Sequence, residues 1–207
     1  MKRLKVFMSG MLAGVCVAIG GTVFLSLDNK VLGAFLFTAG LFTICTQGLH
    51  LFTGKVCYAF EKDKSYALDI PFIWLGNLAG TWGTARMMRC TRINAALAEK
   101  ATSLCEIKLE DSLISIFVLA VFCNILIYIA VEGFHNIPHE VGKYLALFFG
   151  VVVFILCGFE HCVANMYYFS AAGMWSSKTL LYLLVMTLGN AVGGVLFPLV
   201  RKWLAGK

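Results

Sequence analysis

Apolar residues form six long blocks along this chain, separated by short polar or glycine-containing stretches. Each block approaches or exceeds the roughly 20 residues that a helix needs to cross the apolar part of a bilayer. We therefore predict six membrane-spanning helices, at 6–27, 31–50, 69–88, 112–132, 143–170 and 178–200. No soluble domain fits in the residues that remain, so residues 1–207 are interpreted as a single transmembrane domain.

Composition supports an all-α integral membrane protein. The 207 residues are 60% hydrophobic and only 14% charged, whereas a soluble domain carries about 25% charged residues. Six spans place both termini on one side of the membrane, and Lys and Arg are modestly more frequent on that side. This bias favours cytoplasmic termini in a plasma or inner membrane.

One polar segment interrupts the most apolar part of the chain, at residues 158–166. It places Glu160, His161 and Asn165 after a stretch, 145–156, that carries no charge. Ionisable groups at bilayer depth cost several kcal/mol or more and usually line a cavity or a pathway. We therefore expect the function to reside in this segment.

The two halves of the chain repeat each other. The pattern L-G-N-x-x-G occurs at 75–80 and again, 113 residues later, at 188–193. A glycine-interrupted polar patch occurs at 48–55 and again, 110 residues later, at 158–166. Three spans in each half make the repeats, about 1–100 and 101–207, inverted relative to each other, and the interrupted helices indicate a transport site near the midplane. Broken helices expose N–H groups that favour anions, and the glycines and asparagines of the third and sixth spans are expected to allow close helix packing.

The loop expected after the third span is basic, with Arg86, Arg89, Arg92, Lys100 and Lys108. Two interpretations are open for this stretch. It forms a positive vestibule that draws anions toward the membrane, or it is a solvated amphipathic loop whose charges have no further role.

Residues 158–166 read GFEHCVANM and closely resemble the GFEHxxANM signature of the formate/nitrite transporter family. Supporting matches, in family order, are LFTG at 51–54, Cys123-Asn124, and TLGN at 187–190 followed by glycines at 193–194. The resemblance implies an aquaporin-like six-helix protomer with helices 2 and 5 broken, one pore per protomer, and homopentameric assembly. It also implies transport of small monovalent anions such as formate, nitrite, hydrosulfide, acetate or lactate, often with a proton.

The resemblance also implies the roles of individual residues. His161 is the expected central pore histidine. The other polar residues expected along the substrate pathway are Thr53, Asn165, Lys108 and Asn124. The residues expected at hydrophobic constrictions are Leu51, Phe52, Phe37, Leu41 and Phe154. Apart from the resemblance, Glu160 is next to His161 and should point to a different face of a helix. Its expected role is therefore structural, bonding free donors of the broken helix.

A bare anion crosses hydrocarbon at great cost, so neutralisation by a proton is the expected route. His161 is the plausible proton donor at the midplane, because imidazole titrates near physiological pH. Two hypotheses are open: His161 becomes charged when an anion arrives, or it stays neutral and water supplies the proton. His50 stands where relatives often have an acidic residue, and its role is also open.

Three other functions compete with anion transport. A metal carrier or intramembrane enzyme would use Glu160, His161, Cys162 and Cys157, but adjacent residues diverge on a helix and the sequence has no C-x-x-C pair. A structural membrane protein would leave the cost of the buried Glu-His pair unexplained. A neutral-solute channel would need paired N-P-A boxes, which the sequence lacks. We expect no metal, cofactor, enzymatic activity or nucleic-acid partner, and we expect the eight cysteines to serve packing, although Cys90 and Cys105 flank the basic loop and could pair.

Overall fold

The computed structural model describes residues 1–206. Within them the chain forms nine α-helices and one 3-10 turn, Val56–Tyr58. The helices are α1 (Lys2–Ser26), α2 (Lys30–Thr46), α3 (Phe52–Lys55), α4 (Lys64–Met88), α5 (Asn94–Glu110), α6 (Leu113–Asn136), α7 (Glu140–Leu156), α8 (Cys162–Ala172) and α9 (Ser177–Leu204).

Several helix boundaries differ from those expected from hydropathy. The block 31–50 is helical only to Thr46 in α2, and the block 143–170 is divided between α7 and α8. Helix α4 begins at Lys64, before the apolar block starts, because Asp63 caps it by accepting a hydrogen bond from the Tyr66 N–H at 2.9 Å. Apolar length alone therefore did not predict where these helices begin and end.

The basic stretch after α4 was expected to be a loop, and this expectation was wrong for most of it. Residues 94–110 form helix α5, in which Leu97, Ala101, Cys105 and Lys108 are buried at helical spacing. This one-sided burial rules out the fully solvated loop. The Cys105 thiol is free and buried in this helix, and the Cys90 thiol is free and exposed, so the two do not form a disulfide.

By length and composition, three helices in the described residues are long and apolar enough to cross a membrane: α1, α6 and α9. Helices α2 and α7 have 17 residues each, which corresponds to about 25 Å at 1.5 Å per residue. The hydrocarbon core of a bilayer is about 30 Å thick. Each of these two helices is short because it stops at a break in the chain, and the functional site is built around the two breaks.

Glycines bring the long helices of each half into close contact. A Cβ atom on Gly80 in α4 would overlap the carbonyl oxygen of Met11 in α1, and a Cβ atom on Gly193 in α9 would overlap that of Val121 in α6. Met11 and Val121 are themselves separated by 110 residues. Both halves are therefore built on the same close helix crossing, which small residues make possible.

Polar contacts group the two ends of the chain on one side of the molecule. Lys2 donates to Ser65 at the start of α4, at 3.1 Å. At the other end, Arg201 forms an ion pair with Glu132 at 2.9 Å, and Glu132 also accepts a hydrogen bond from the Tyr58 hydroxyl at 2.8 Å. The beginning of α1 and the end of α9 thus lie on the same side as the 3-10 turn and the beginning of α4.

Candidate functional site

The first break in helical structure lies between α2 and α3. Gly48 adopts a left-handed conformation with φ of +64°, and the Leu49 N–H donates back to the Ile44 carbonyl at 2.9 Å. This is the usual way for a helix to end at glycine. No heavy atom lies within 4 Å of a Cβ added at Gly48, so its backbone conformation, and not lack of space, explains the glycine.

The second break, between α7 and α8, has the same geometry. Gly158 has φ of +71°, and the Phe159 N–H donates to the Phe154 carbonyl at 2.9 Å. Each of these residues lies 110 positions after its counterpart in the first break. The sequence repeat is therefore also a repeat of backbone structure.

A buried asparagine joins the first break to helix α4. The Asn77 side chain accepts a hydrogen bond from the Phe52 N–H at 2.8 Å and donates to the His50 carbonyl at 3.0 Å. It also donates to the Gly10 carbonyl in α1 at 2.7 Å. One fully buried side chain thus satisfies both edges of the break and ties them to two long helices.

Asn190 makes the equivalent contacts in the second half. It accepts from the Cys162 N–H at 2.8 Å and donates to the carbonyls of Glu160 and Ala120, both at 2.8 Å. The asparagine of each L-G-N-x-x-G motif was expected only to allow close helix packing. The hydrogen bonds of these asparagines could have been predicted, because a buried side-chain amide needs hydrogen-bond partners. The backbone of the break in each half supplies such partners.

The two breaks meet at Thr53 and His161. The Thr53 hydroxyl and His161 Nε2 are 2.9 Å apart, and both residues are buried. His161 Nδ1 accepts a hydrogen bond from the Ala164 N–H at 3.1 Å, which caps the beginning of α8. Because Nδ1 faces a donor, this geometry favours the neutral imidazole with its proton on Nε2, which then donates to Thr53. The Phe154 ring stacks on the imidazole, with ring centroids 5.6 Å apart.

Glu160 and Lys108 form a buried ion pair beside the histidine. Lys108 Nζ lies 2.8 and 2.7 Å from the two Glu160 carboxylate oxygens. Asn165 donates to the same carboxylate at 2.8 Å and to the His161 carbonyl at 3.0 Å. The ammonium and carboxylate neutralise each other in a site where Glu160 is only 3% exposed. Both residues were expected at the site, but their pairing was not predicted, because 52 positions separate them in the chain.

Two amide oxygens near the Thr53–His161 contact lack a partner among the described residues. Asn124 donates to the Thr53 carbonyl at 3.1 Å, which fixes the position of the threonine. Its Oδ1 atom and that of Asn165 are both buried without a hydrogen bond. Gly194 packs against Asn124, where a Cβ would overlap the amide nitrogen. The unpaired Asn165 oxygen is therefore available to a donor entering the site.

Two cavities flank the breaks, on opposite sides. We call the first, of about 90 Å³, the Lys108 cavity; among its lining residues are Lys108, Phe154, His161 and Asn165. The second, of about 340 Å³, is the Lys55 cavity; among its lining residues are Leu41, Leu51, Lys55 and Tyr58. The two sets of lining residues have no member in common.

The constriction residues expected from the resemblance are distributed over both sides. Leu41 and Leu51 line the Lys55 cavity, whereas Phe154 lines the Lys108 cavity. Phe37 packs edge-on against Phe154 with centroids 6.2 Å apart. Phe52 is buried but lines neither cavity. All five side chains are less than 5% exposed.

Charged residues lie at the mouth of the Lys108 cavity. Lys30 lines this cavity and an adjoining surface pocket that also contains Asp28 and Lys100. Lys100 donates to the Asp28 carboxylate at 2.7 Å, and this hydrogen bond together with the lysine charge holds the pKa of Asp28 below its ordinary value. Within residues 1–206, no three His, Cys, Asp or Glu side chains are grouped to bind a metal ion.

Known proteins resemble this chain over most of its length. The sequence profile described as "Formate/nitrite transporter" matches residues 1–204. The chain is 28% identical to the Bacillus subtilis protein named uncharacterized transporter YrhG, over 82% of this chain and 69% of that protein. It is 25% identical to formate channel FocB of Escherichia coli, of which it covers 65%, with 80% of this chain aligned. It is 27% identical to nitrite transporter NirC of Salmonella typhimurium, over 98% of this chain and 83% of that protein.

Solved structures share the fold. A structure described as a pentameric formate channel with formate bound superposes with a TM-score of 0.86 at 24% identity, covering 99% of this chain and 97% of the other. A structure described as an FNT family ion channel gives a TM-score of 0.80 at 24% identity, covering 98% and 89%. The profile match over nearly the whole chain agrees with the motif at residues 158–166. The chain belongs to the formate/nitrite transporter family, a family of membrane channels and transporters and not of enzymes.

Proposed function

We propose that this protein conducts small monovalent anions of weak acids, such as formate, nitrite or hydrosulfide, and that each anion crosses with a proton. The observation that carries the proposal is the contact between the Thr53 hydroxyl and His161 Nε2, where the two breaks meet. The pathway runs from the Lys108 cavity, past this contact, to the Lys55 cavity.

The first step is binding in the Lys108 cavity. A lysine ammonium has three N–H donors, and Glu160 takes two of those of Lys108. The third is available to an anion. Because Glu160 compensates the lysine charge, the anion is held by a hydrogen bond in an almost neutral site, and it is therefore not trapped there.

The second step is neutralisation. An isolated charge in an apolar region is very unfavourable, so an entering weak-acid anion takes up a proton. The neutral acid has an O–H donor, or S–H donors in hydrogen sulfide, and at least one acceptor atom. The unpaired Asn165 oxygen complements the donor, and the Thr53 hydroxyl, which accepts from His161, has its own hydrogen available for the acceptor. The resting geometry of His161 favours its neutral form, so water is the proposed source of the proton and His161 the residue that orients Thr53.

The wider architecture is proposed on the same basis. Helix α2 together with α3 forms one membrane crossing, and α7 together with α8 forms another. With α1, α4, α6 and α9, this gives six crossings in two inverted repeats of one domain. The protein is proposed to lie in the plasma or inner membrane, with both termini in the cytoplasm. In this orientation the Lys55 cavity opens to the cytoplasm. One pore per chain and homopentameric assembly are proposed by analogy with the pentameric formate channel.

The test is an initial-rate flux panel in proteoliposomes, with formate, nitrite, hydrosulfide, acetate and lactate at several pH values. The wild-type protein is expected to carry at least one of these anions, faster at lower pH because a proton accompanies the anion. A wild-type protein that carries none of them would refute the proposal.

Two variants separate the two roles available to His161. His161→Ala removes both the cap of α8 and the partner of Thr53, and it is expected to change rate, selectivity and pH dependence. His161→Asn keeps a capping acceptor and a donor but cannot titrate. If water supplies the proton, the Asn variant keeps the wild-type pH dependence. A pH dependence that disappears in the Asn variant would instead assign proton transfer to the imidazole.

A further inference from the structure

The two halves of the site are equivalent in backbone but not in charge. Residues related by the offset of 110 make the same contacts at Gly48 and Gly158, and at the two asparagine-bound breaks. By this offset, Lys55 in the first half corresponds to Asn165 in the second half. One half therefore presents an ammonium at the position where the other half presents a neutral amide.

The compensating carboxylate is also absent from the first half. Asn165 lies beside Glu160, which is paired with Lys108. The residue equivalent to Glu160 is His50, which carries no negative charge. Among residues 1–206, Lys55 Nζ has neither a carboxylate within 4.0 Å nor a hydrogen-bond acceptor. Lys108, the most buried Lys or Arg in the described chain, is by contrast paired with the Glu160 carboxylate.

Lys55 is half-buried and lines the Lys55 cavity. The other formally charged residues of the lining, Lys62 and Glu61, are exposed and opposite in sign. By formal charge at pH 7, the lining carries the single net positive charge of Lys55. A cation withdrawn from water without a partner is unfavourable, so an entering anion gains more there than at a solvated surface lysine.

The Lys55 cavity is also large enough to hold a small hydrated anion. Its volume of about 340 Å³ is roughly ten times the ~30 Å³ that one water molecule occupies in the liquid. A small carboxylate can therefore bind there with part of its water shell. Leu41 and Leu51 line this cavity at less than 5% exposure. In the proposed pathway, these two apolar side chains are where the anion loses its remaining water.

We propose that Lys55 is an anion-capture residue, which holds a small hydrated carboxylate or similar monoanion in the Lys55 cavity before it passes Leu41 and Leu51. This inference rests on the proposed function and adds a second anion site to it, distinct from Lys108 and His161. The ligand class is a small monoanion, because the formal charges of the cavity lining leave one net positive charge.

The first measurement is the concentration dependence of formate flux that enters from the Lys55 side. Lys55→Met removes the charge and keeps the length, and it is expected to raise KM about tenfold. Lys55→Arg keeps the charge and is expected to stay within twofold of wild type. The matched control is Lys143→Met, which removes a lysine paired with Glu140 on the surface. A Lys55→Met variant with KM within twofold of wild type would overturn the inference.

The second measurement tests binding in the folded protein without relying on flux. Cys45 lines the same cavity, and Cys16, Cys90 and Cys157, the other thiols that are not buried, are replaced by Ser. Sodium formate is expected to slow alkylation of Cys45 by a maleimide, whereas sodium gluconate at equal ionic strength is not. The half-protective formate concentration is expected to rise about tenfold in Lys55→Met.

The outcomes separate the two proposals. Formate that fails to protect Cys45 overturns the capture role, whatever the flux assay gives. Lys55-dependent protection in a wild-type protein that shows no anion flux sustains the capture role and refutes the proposed transport function. Protection that is unchanged in Lys55→Met assigns binding to another group and also overturns the inference.

Discussion

His161 connects the fold to the site through its two ring nitrogens. Nδ1 caps helix α8 by accepting from Ala164, and Nε2 contacts Thr53 from the opposite half. Because one nitrogen is committed to the backbone, the orientation of the other is fixed before any substrate arrives. Such fixed orientation avoids reorganisation when an anion enters.

Thr53→Val tests the contact between the two breaks. Valine has nearly the same shape but cannot accept from His161 or donate to a substrate, so flux is expected to fall several-fold to about tenfold, as expected for loss of about 1 kcal/mol. Flux in proteoliposomes provides the measurement. Thr46→Val at the exposed end of α2 is the control, and equal flux in both variants would contradict the role of Thr53.

The buried ion pair makes a second prediction at this scale. Lys108→Met leaves the Glu160 carboxylate buried without its cation, which is expected to destabilise the protein by about 3–5 kcal/mol. The double variant with Glu160→Gln is expected to recover part of that loss. Thermal unfolding in detergent provides the measurement. Lys143→Met removes one partner of an exposed pair and should cost at most about 1 kcal/mol; equal losses in both lysine variants would contradict the prediction.

At the scale of elements, the two breaks depend on two asparagines. Asn77→Ala would leave the Phe52 N–H and the His50 carbonyl buried without partners, and each unsatisfied group costs about 1–3 kcal/mol. A loss of several kcal/mol is therefore expected, with a similar loss for Asn190→Ala, measured by thermal unfolding in detergent. Asn136→Ala, at an exposed site, is the control. Unchanged stability in Asn77→Ala would show that the break is held by other contacts.

Helix α4 offers a matched pair of glycines for testing the close crossing. Gly80→Ala would place a Cβ against the Met11 carbonyl, which is backbone and cannot move aside freely, so unfolding is expected at a lower temperature. Gly83, one turn away on the same helix, has no heavy atom within 4 Å of an added Cβ. Gly83→Ala should be neutral or up to about 1 kcal/mol stabilising. Destabilisation of the same size in both variants would argue against a specific crossing.

The sequence predicted the elements better than their connections. Apolar blocks located α1, α6 and α9, because each long helix is apolar over most of its length. The helix α5 was missed because its charged residues mask a buried face that only tertiary packing defines. Glycine occupies positions 48 and 158 because each has a positive φ, which other residues rarely adopt.

The candidate site was predicted as a set of residues but not as a set of contacts. Thr53, His161 and Asn165 are brought together by the structure, as are Glu160 and Lys108. No local pattern specifies the pairing of residues 52 or 108 positions apart. The asparagine contacts and the unpaired Lys55 were missed for the same reason, because they depend on what lies opposite in space.

At the scale of the whole molecule, pentameric assembly is the proposal that a direct mass measurement decides. Native mass spectrometry of the protein released from mild detergent is expected to show five copies, because a solved structure of the same fold is described as pentameric. Flux reconstituted from protein prepared as single chains serves as the control for one pore per chain. A stable monomer in every mild detergent would contradict the proposed assembly.

The unpaired ammonium of Lys55 has a consequence for the direction of transport. In a passive pore, microscopic reversibility makes the low-concentration permeability equal in both directions. Capture by Lys55 then makes entry from the Lys55 side saturate at a lower anion concentration. The maximal rate of entry from that side falls by the same factor. Under a steep concentration gradient the two directions of transport would therefore differ in rate. Anions would cross faster when they enter past the neutralised Lys108–Glu160 pair than when they enter past Lys55.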